Sequence, residues 1–90
     1  MYVISAKLTF IIEHASSLKD KRQVCRSLIE KTRNRFNVSI SEVATQDIHQ
    51  TLTIGLAVVS GDADHANNMA DEIIRYIENN ADADLISIEI

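Results

Sequence analysis

The stretch "TFIIEHASSLKDKRQVCRSLIE", residues 9–30, decides how this chain folds, because the spacing of its apolar residues changes partway through. Up to Ile12 the pattern has a period of two. Tyr2, Ile4, Ala6, Leu8, Phe10 and Ile12 fall on one side; Val3, Ser5, Lys7, Thr9 and Ile11 fall on the other. That alternation is a strand with one well-defined core face. After "EHASS" the period becomes helical, with Leu18, Cys25, Leu28 and Ile29 on one stripe and Thr32 and Phe36 extending it. Ser17 opens a capping-box pattern with Asp20 in the place of the usual Glu or Gln, which makes Ser17 the expected N-cap. The helix is expected to end near Arg35.

The remaining chain repeats the alternation of periods. "FNVSISEV" returns to period two with Val38 and Ile40 inward, and Val43 breaks the parity, which predicts a bulge near Ser41 and Glu42 or an early end to the strand. A polar connection, "TQDIHQ", leads to a strand with Leu52, Ile54, Leu56 and Val58 on one face and Thr51, Thr53, Gly55, Ala57 and Val59 on the other. Asp62 is placed to cap a second helix whose stripe is Ala66, Met69, Ala70, Ile73, Ile74 and Ile77, ending at Asn79 and Asn80. A last strand is expected to turn Ile86, Ile88 and Ile90 inward and Leu85 to the open face. The order βαββαβ predicts an α+β fold, a ferredoxin-like sandwich with a four-stranded antiparallel sheet and both helices on one face. At 90 residues, without an internal linker, residues 1–90 read as a single domain.

Composition narrows the class. The chain has no proline, two glycines and one cysteine, Cys25, so no internal disulfide can form. Cys25 lies among Val24, Leu28 and Ile29 and reads as a buried small hydrophobe. No basic lead and apolar signal segment stands at the amino end, and no apolar run approaches the ~20 residues of a membrane helix. The expectation is a cytoplasmic protein with no membrane partner.

Net charge is −4, but the charge is unevenly divided. Lys19, Lys21, Arg22, Arg26, Lys31, Arg33 and Arg35 all fall in the first helix, opposed there only by Asp20 and Glu30, so that segment carries +5 and the rest −9. Such asymmetry points to an electrostatic partner. At 100° per residue, Lys19, Arg22, Arg26 and Arg33 share one flank, and Lys21, Lys31 and Arg35 lie toward the other margin, where their stems can follow the sheet edge. Cations in a first turn oppose the helix dipole. A phosphate bound there by free N–H groups with Lys19, Lys21 and Arg22 would reverse the cost. Against this stands internal neutralisation, with Arg26 and Glu30 as an i,i+4 pair and Glu13 or Glu42 closing over the cluster.

Two blocks, "SLKDKRQVCRSLIEKTRNRFNVSISEV" at residues 17–43 and "GLAVVSGD" at 55–62, resemble the small bacterial YlxP-like domains of unknown function. Spacing and strand order elsewhere agree as well. The resemblance implies a ferredoxin-like single domain. It also implies, through the translation factors beside which such proteins are often encoded, a link to ribosomal RNA or a ribosomal subunit. The family's basic block falls on Lys19, Lys21, Arg22, Arg33 and Arg35. Where relatives often carry an aromatic after a Gln-Asp pair, this chain has Gln46-Asp47-Ile48-His49.

No phosphate loop, nucleophile elbow or cysteine ligand pair is present, and His14, His49 and His65 are widely separated, so the reading is a non-enzymatic protein with no metal and no cofactor. The open-face positions Lys7, Thr9, Thr51, Thr53, Gly55 and Ala57 carry no aromatic, which argues against bases stacking on the sheet. RNA would meet phosphate-binding residues Lys19, Lys21, Arg22, Arg26, Arg33 and Arg35, with Ser17 organising the helix start; no DNA partner is expected. The alternative is a homodimeric interaction or small-ligand-sensing domain that uses the open sheet, where Val3, Ile11, Ala57, Val59 and Leu85 stand among Thr and Ser.

Overall fold

A computed structural model describes all residues, 1–90. Six elements follow one another: β1 (Tyr2–Ile11), α1 (Leu18–Arg35), β2 (Ser39–Ala44), β3 (Thr51–Ser60), α2 (Ala63–Asn80) and β4 (Asp84–Glu89). The strands form one antiparallel sheet in the order β2-β3-β1-β4. This is the ferredoxin-like arrangement that the alternation of periods predicts.

The even-numbered residues from Ala6 of β1 and from Leu52 to Val58 of β3 build the core, whereas Tyr2, at the start of the same face, is half exposed. Leu8, Phe10, Leu52 and Ile54 are wholly inaccessible, and Leu8 faces Ile54 and Phe10 faces Leu52 across the central pair. Ala70, Ile73, Ile74 and Ile77 of α2 close over them, with Cys25 and Leu28 of α1. Both helix starts are capped: Ser17 accepts from the Asp20 amide at 3.1 Å and Asp62 from the His65 amide at 2.9 Å. Thr32, buried in α1, spends its hydroxyl on the Leu28 carbonyl at 2.7 Å, so no polar group is left bare there.

Register departs from regularity twice. The β2–β3 pairing shifts between Glu42 and Ala44, the bulge that Val43 signals in the sequence. Val43 then lies over Gly55, where an added Cβ would come within 2.6 Å of its Cγ1. The β1–β4 pairing shifts between Thr9 and Phe10, with Ile86 as the extra residue. Leu85 therefore stands opposite the inward Phe10 and packs on the core, while Ile86, Ile88 and Ile90 remain 60%, 45% and 81% exposed. This corrects the expectation at two positions: the inserted Ile86 leaves the inward row, and Leu85, expected on the open face, turns to the core. Ile88, opposite the inward Leu8, keeps the helix side and lines a shallow groove with Ile74 of α2 at the sheet edge.

The β2–β3 connection turns on Thr45, the one non-glycine residue with positive φ, at 59°. A β-branched residue is disfavoured in that region. Here its hydroxyl lies 2.6 Å from the Ala44 carbonyl, 3.2 Å from that of Thr51 and 2.9 Å from the Thr53 hydroxyl. That network, together with the lysine described next, holds the conformation.

Candidate anion-binding groove

The cluster of α1 cations divides on folding. Lys21 is 1% exposed, in line with the buried Cys25, Leu28 and Thr32 on the core stripe of the helix. Its ammonium donates to the carbonyls of Thr45 and Ile48, the latter at 2.8 Å, and lies 2.8 Å from Glu42 Oε2. That last contact is ionic; its angle falls outside hydrogen-bond geometry, so Oε2 is buried without a hydrogen bond of its own. Glu42 follows Ile40 at the next inward position of β2, and opposite charges thus occupy two core-facing sites. Lys21 is accordingly not an exposed phosphate contact, because three acceptors surround its ammonium. The expectation that Glu42 neutralises the cluster holds for this one cation.

The helix start also differs from the expected anion site. Asp20 accepts from the Ser16 amide at 3.0 Å and the Ser16 hydroxyl at 2.8 Å. These bonds, that of the backbone amide first, hold its carboxyl below the ordinary value of 3.8. The shorter acid reaches back one residue past the cap, a variant of the capping box. A carboxylate beside the first turn, with Lys21 withdrawn, leaves the helix end poorly suited to a phosphate.

The other six cations of α1 remain at the surface and divide between its two margins. Lys19, Arg22, Arg26, Lys31, Arg33 and Arg35 are exposed. None of them joins an ion pair; the three pairs in the chain are Lys7–Glu89, His14–Asp82 and Lys21–Glu42. The Arg26–Glu30 pair therefore does not form. Arg22, Arg26 and Arg33 converge with Glu42, Glu30, Ile29 and Cys25 on a groove of about 310 Å³ between α1 and β2. Arg33 is anchored there, donating to the Ile40 carbonyl at 2.8 Å. Lys19 lies three residues before Arg22 and continues the same flank. Arg35 belongs to the opposite margin: its guanidinium carbon is 5.1 Å from the Tyr76 ring centroid and 5.8 Å from that of Phe36, and the two rings meet edge to face at 5.3 Å.

Sequence reading missed the role of Lys21, although the signal was there: positions 21, 25, 28 and 32 follow the i, i+4, i+7, i+11 spacing of a buried stripe. Cys25 does lie in the core, and burial raises its thiol above the ordinary 9.0, with Glu42 adding to the shift and Lys21 opposing it. No group of three or more His, Cys, Asp or Glu side chains is arranged to hold a metal. No helix is long and apolar enough to cross a membrane.

The open sheet face carries Val3 opposite Val59, 60% and 55% exposed, and Lys7 bonded to Glu89 at 3.2 Å. Phe10 is buried on the helix side, so the sheet presents no aromatic at its centre.

Together these features define a ferredoxin-like domain with an arginine-lined groove along its first helix. The chain belongs to the family described as "Protein of unknown function (DUF503)", whose profile matches residues 3–90. It is similar to the uncharacterized protein YlxP of Bacillus subtilis (strain 168), 36% identical over 73 residues that cover 81% of this chain and 79% of that one. Among solved structures it is similar to the solution structure of a de novo designed protein, LFR1, with a ferredoxin fold. The TM-score is 0.61 at 14% identity, over 100% of this chain and 87% of the designed one, a likeness of fold alone.

Proposed function

We propose that the protein is a non-enzymatic cytoplasmic factor that binds ribosomal RNA or a ribosomal subunit through the flank of α1. What carries the reading is the absence of intramolecular carboxylate partners for Lys19, Arg22, Arg26 and Arg33, in a chain with thirteen acidic residues available to pair with them. Unpaired guanidiniums grouped on one side suit a polyanion, whose binding they favour through counterion release. Phosphate contacts of this kind position a nucleic acid more than they read it. Lys21 has no part in the contact, and Arg35, held over two rings, is at its edge.

The test is co-sedimentation with ribosomal subunits at low and high salt, comparing the native protein with the triple variant Arg22→Glu, Arg26→Glu, Arg33→Glu. The native protein should be retained at low salt and released at high salt, and the variant should be lost at both. Equal retention of the variant rejects the proposal.

A second reading is favoured by the Val3–Val59 pair. The open face is poor in charge, and Lys7, its central cation, is already neutralised by Glu89, so two copies can meet there without repulsion. Ala57→Glu should then convert a dimer into a monomer in analytical ultracentrifugation. A native protein that sediments as a monomer at high concentration removes this reading.

A further inference from the structure

We infer that the α1–β2 groove takes a nucleobase as well as phosphate, and that it favours bases carrying an exocyclic amine over uracil. The inference rests on the proposal that the α1 flank binds RNA, and it names the part of RNA that this groove recognises.

The lining does not match a plain phosphate site. Three guanidiniums would suit an anion, yet Glu42 and Glu30 line the same groove, and Ile29 and Cys25 give it apolar surface. A phosphate seated among them would face carboxylate repulsion as well as attraction. A nucleotide resolves the conflict because it carries charge at one end and a flat ring with donor and acceptor edges at the other.

Each lining group then has a use. The volume, about 310 Å³, is at the small end for ligand sites and suits one base with its sugar rather than a folded RNA element. Guanidinium planes stack on bases as well as pairing with phosphates, and every cation lining the groove is an arginine. Arg33, tied to the Ile40 carbonyl, is set in place before any ligand arrives.

Glu42 supplies the selectivity. Its Oε2 is turned inward to Lys21, with no solvent exposure, while the side chain keeps 19% of its accessible surface. The carboxylate therefore offers the groove its other oxygen, a single acceptor. Cytosine, adenine and guanine each present an amino group to such an acceptor. Uracil offers such an acceptor only a ring N–H set between two carbonyl oxygens, and repulsion from both weakens that bond. The Lys21 contact also holds the acceptor in position, because Glu42 cannot swing away without leaving a buried ammonium unpaired.

The experiment is fluorescence anisotropy of the intact protein at low salt with labelled octacytidylate, octauridylate and an octamer of N4,N4-dimethylcytidine. Octacytidylate should bind about tenfold more tightly than octauridylate, the effect of one hydrogen bond to a charged acceptor. The dimethylated octamer, which keeps the ring and loses the donor, should fall to the level of octauridylate. Equal, salt-sensitive affinity for all three overturns the base preference and leaves the phosphate-binding flank standing. No binding of any octamer overturns both. Glu42→Gln, if it folds, should narrow the preference toward unity, since a neutral amide can turn its N–H groups toward the uracil carbonyl; an unchanged preference in a folded variant assigns the selectivity elsewhere and overturns the role of Glu42.

Discussion

The ammonium of Lys21 on α1 and the carboxylate of Glu42 on β2 meet at 2.8 Å inside the domain, and the same ammonium bonds the carbonyls of Thr45 and Ile48. One side chain thus links the first helix, the edge strand and the loop that follows it. Several kilocalories of desolvation must be offset by those contacts, which makes the pair costly to break on one side only.

Removing one partner is therefore expected to hurt more than removing both. Lys21→Met should lower stability by about 3–5 kcal/mol, since Glu42 and two carbonyls lose their counterpart. Adding Glu42→Leu to it should recover a large part of that loss. Urea unfolding of the native, single and double variants measures the difference; a double variant less stable than Lys21→Met would contradict the pairing.

The carboxyl of Asp20 is held below its ordinary 3.8 by the Ser16 amide and hydroxyl, so the bonds it accepts favour the folded state only while it is ionised. That contribution is present above the unfolded value and is lost as pH falls through the lower folded one. Asp20→Asn should thus reduce the Tm at pH 7, and the gap to the native protein should close below about pH 4. Thermal melts across pH 2–7 check this; a constant gap excludes the ionised cap.

Gly55 leaves room for Val43 across the β2–β3 bulge. Gly55→Ala should cost about 1–2 kcal/mol in the native background, because the new methyl overlaps Cγ1 of Val43. In a Val43→Ala background the same change should cost much less. A double-mutant cycle by chemical denaturation gives the coupling; additive costs would show that the valine moves aside freely.

Cys25 is buried and desolvation pushes its thiol above the ordinary 9.0, so folding favours the protonated, unreactive form. Alkylation by iodoacetamide at pH 9 should be slow in the folded protein and fast in denaturant. A rate near that of a free cysteine in native buffer would place the thiol at the surface.

The regular elements were legible because their signals are local. Ser17 and Asp62 cap the helices at the expected positions, Val43 marks the bulge by breaking parity, and even-numbered residues face inward along β1 and β3. At β4 local parity held for Ile88, opposite Leu8, but misled for Leu85 and Ile86, since Ile86 becomes an extra residue only when β4 aligns against Thr9 and Phe10 of β1. In the groove, the spacing of Arg22, Arg26 and Arg33 placed them on one flank, while the sequence offered Glu42 only beside Glu13 as a neutralising acid and did not separate the two.

By itself the sequence determined the order of elements, the caps, the core faces and the concentration of cations on one helix, since each depends on spacing within a single segment. Only the tertiary structure decided which cation is withdrawn. Lys21 and Glu42 are separated by a helix, a turn and half a strand, and whether two such charges meet depends on how those segments pack. Burial then separates one lysine from its neighbours: the cost of taking its charge out of water is offset only where a carboxylate and two carbonyls converge, and the nearby Arg22 and Arg26 stay exposed to solvent.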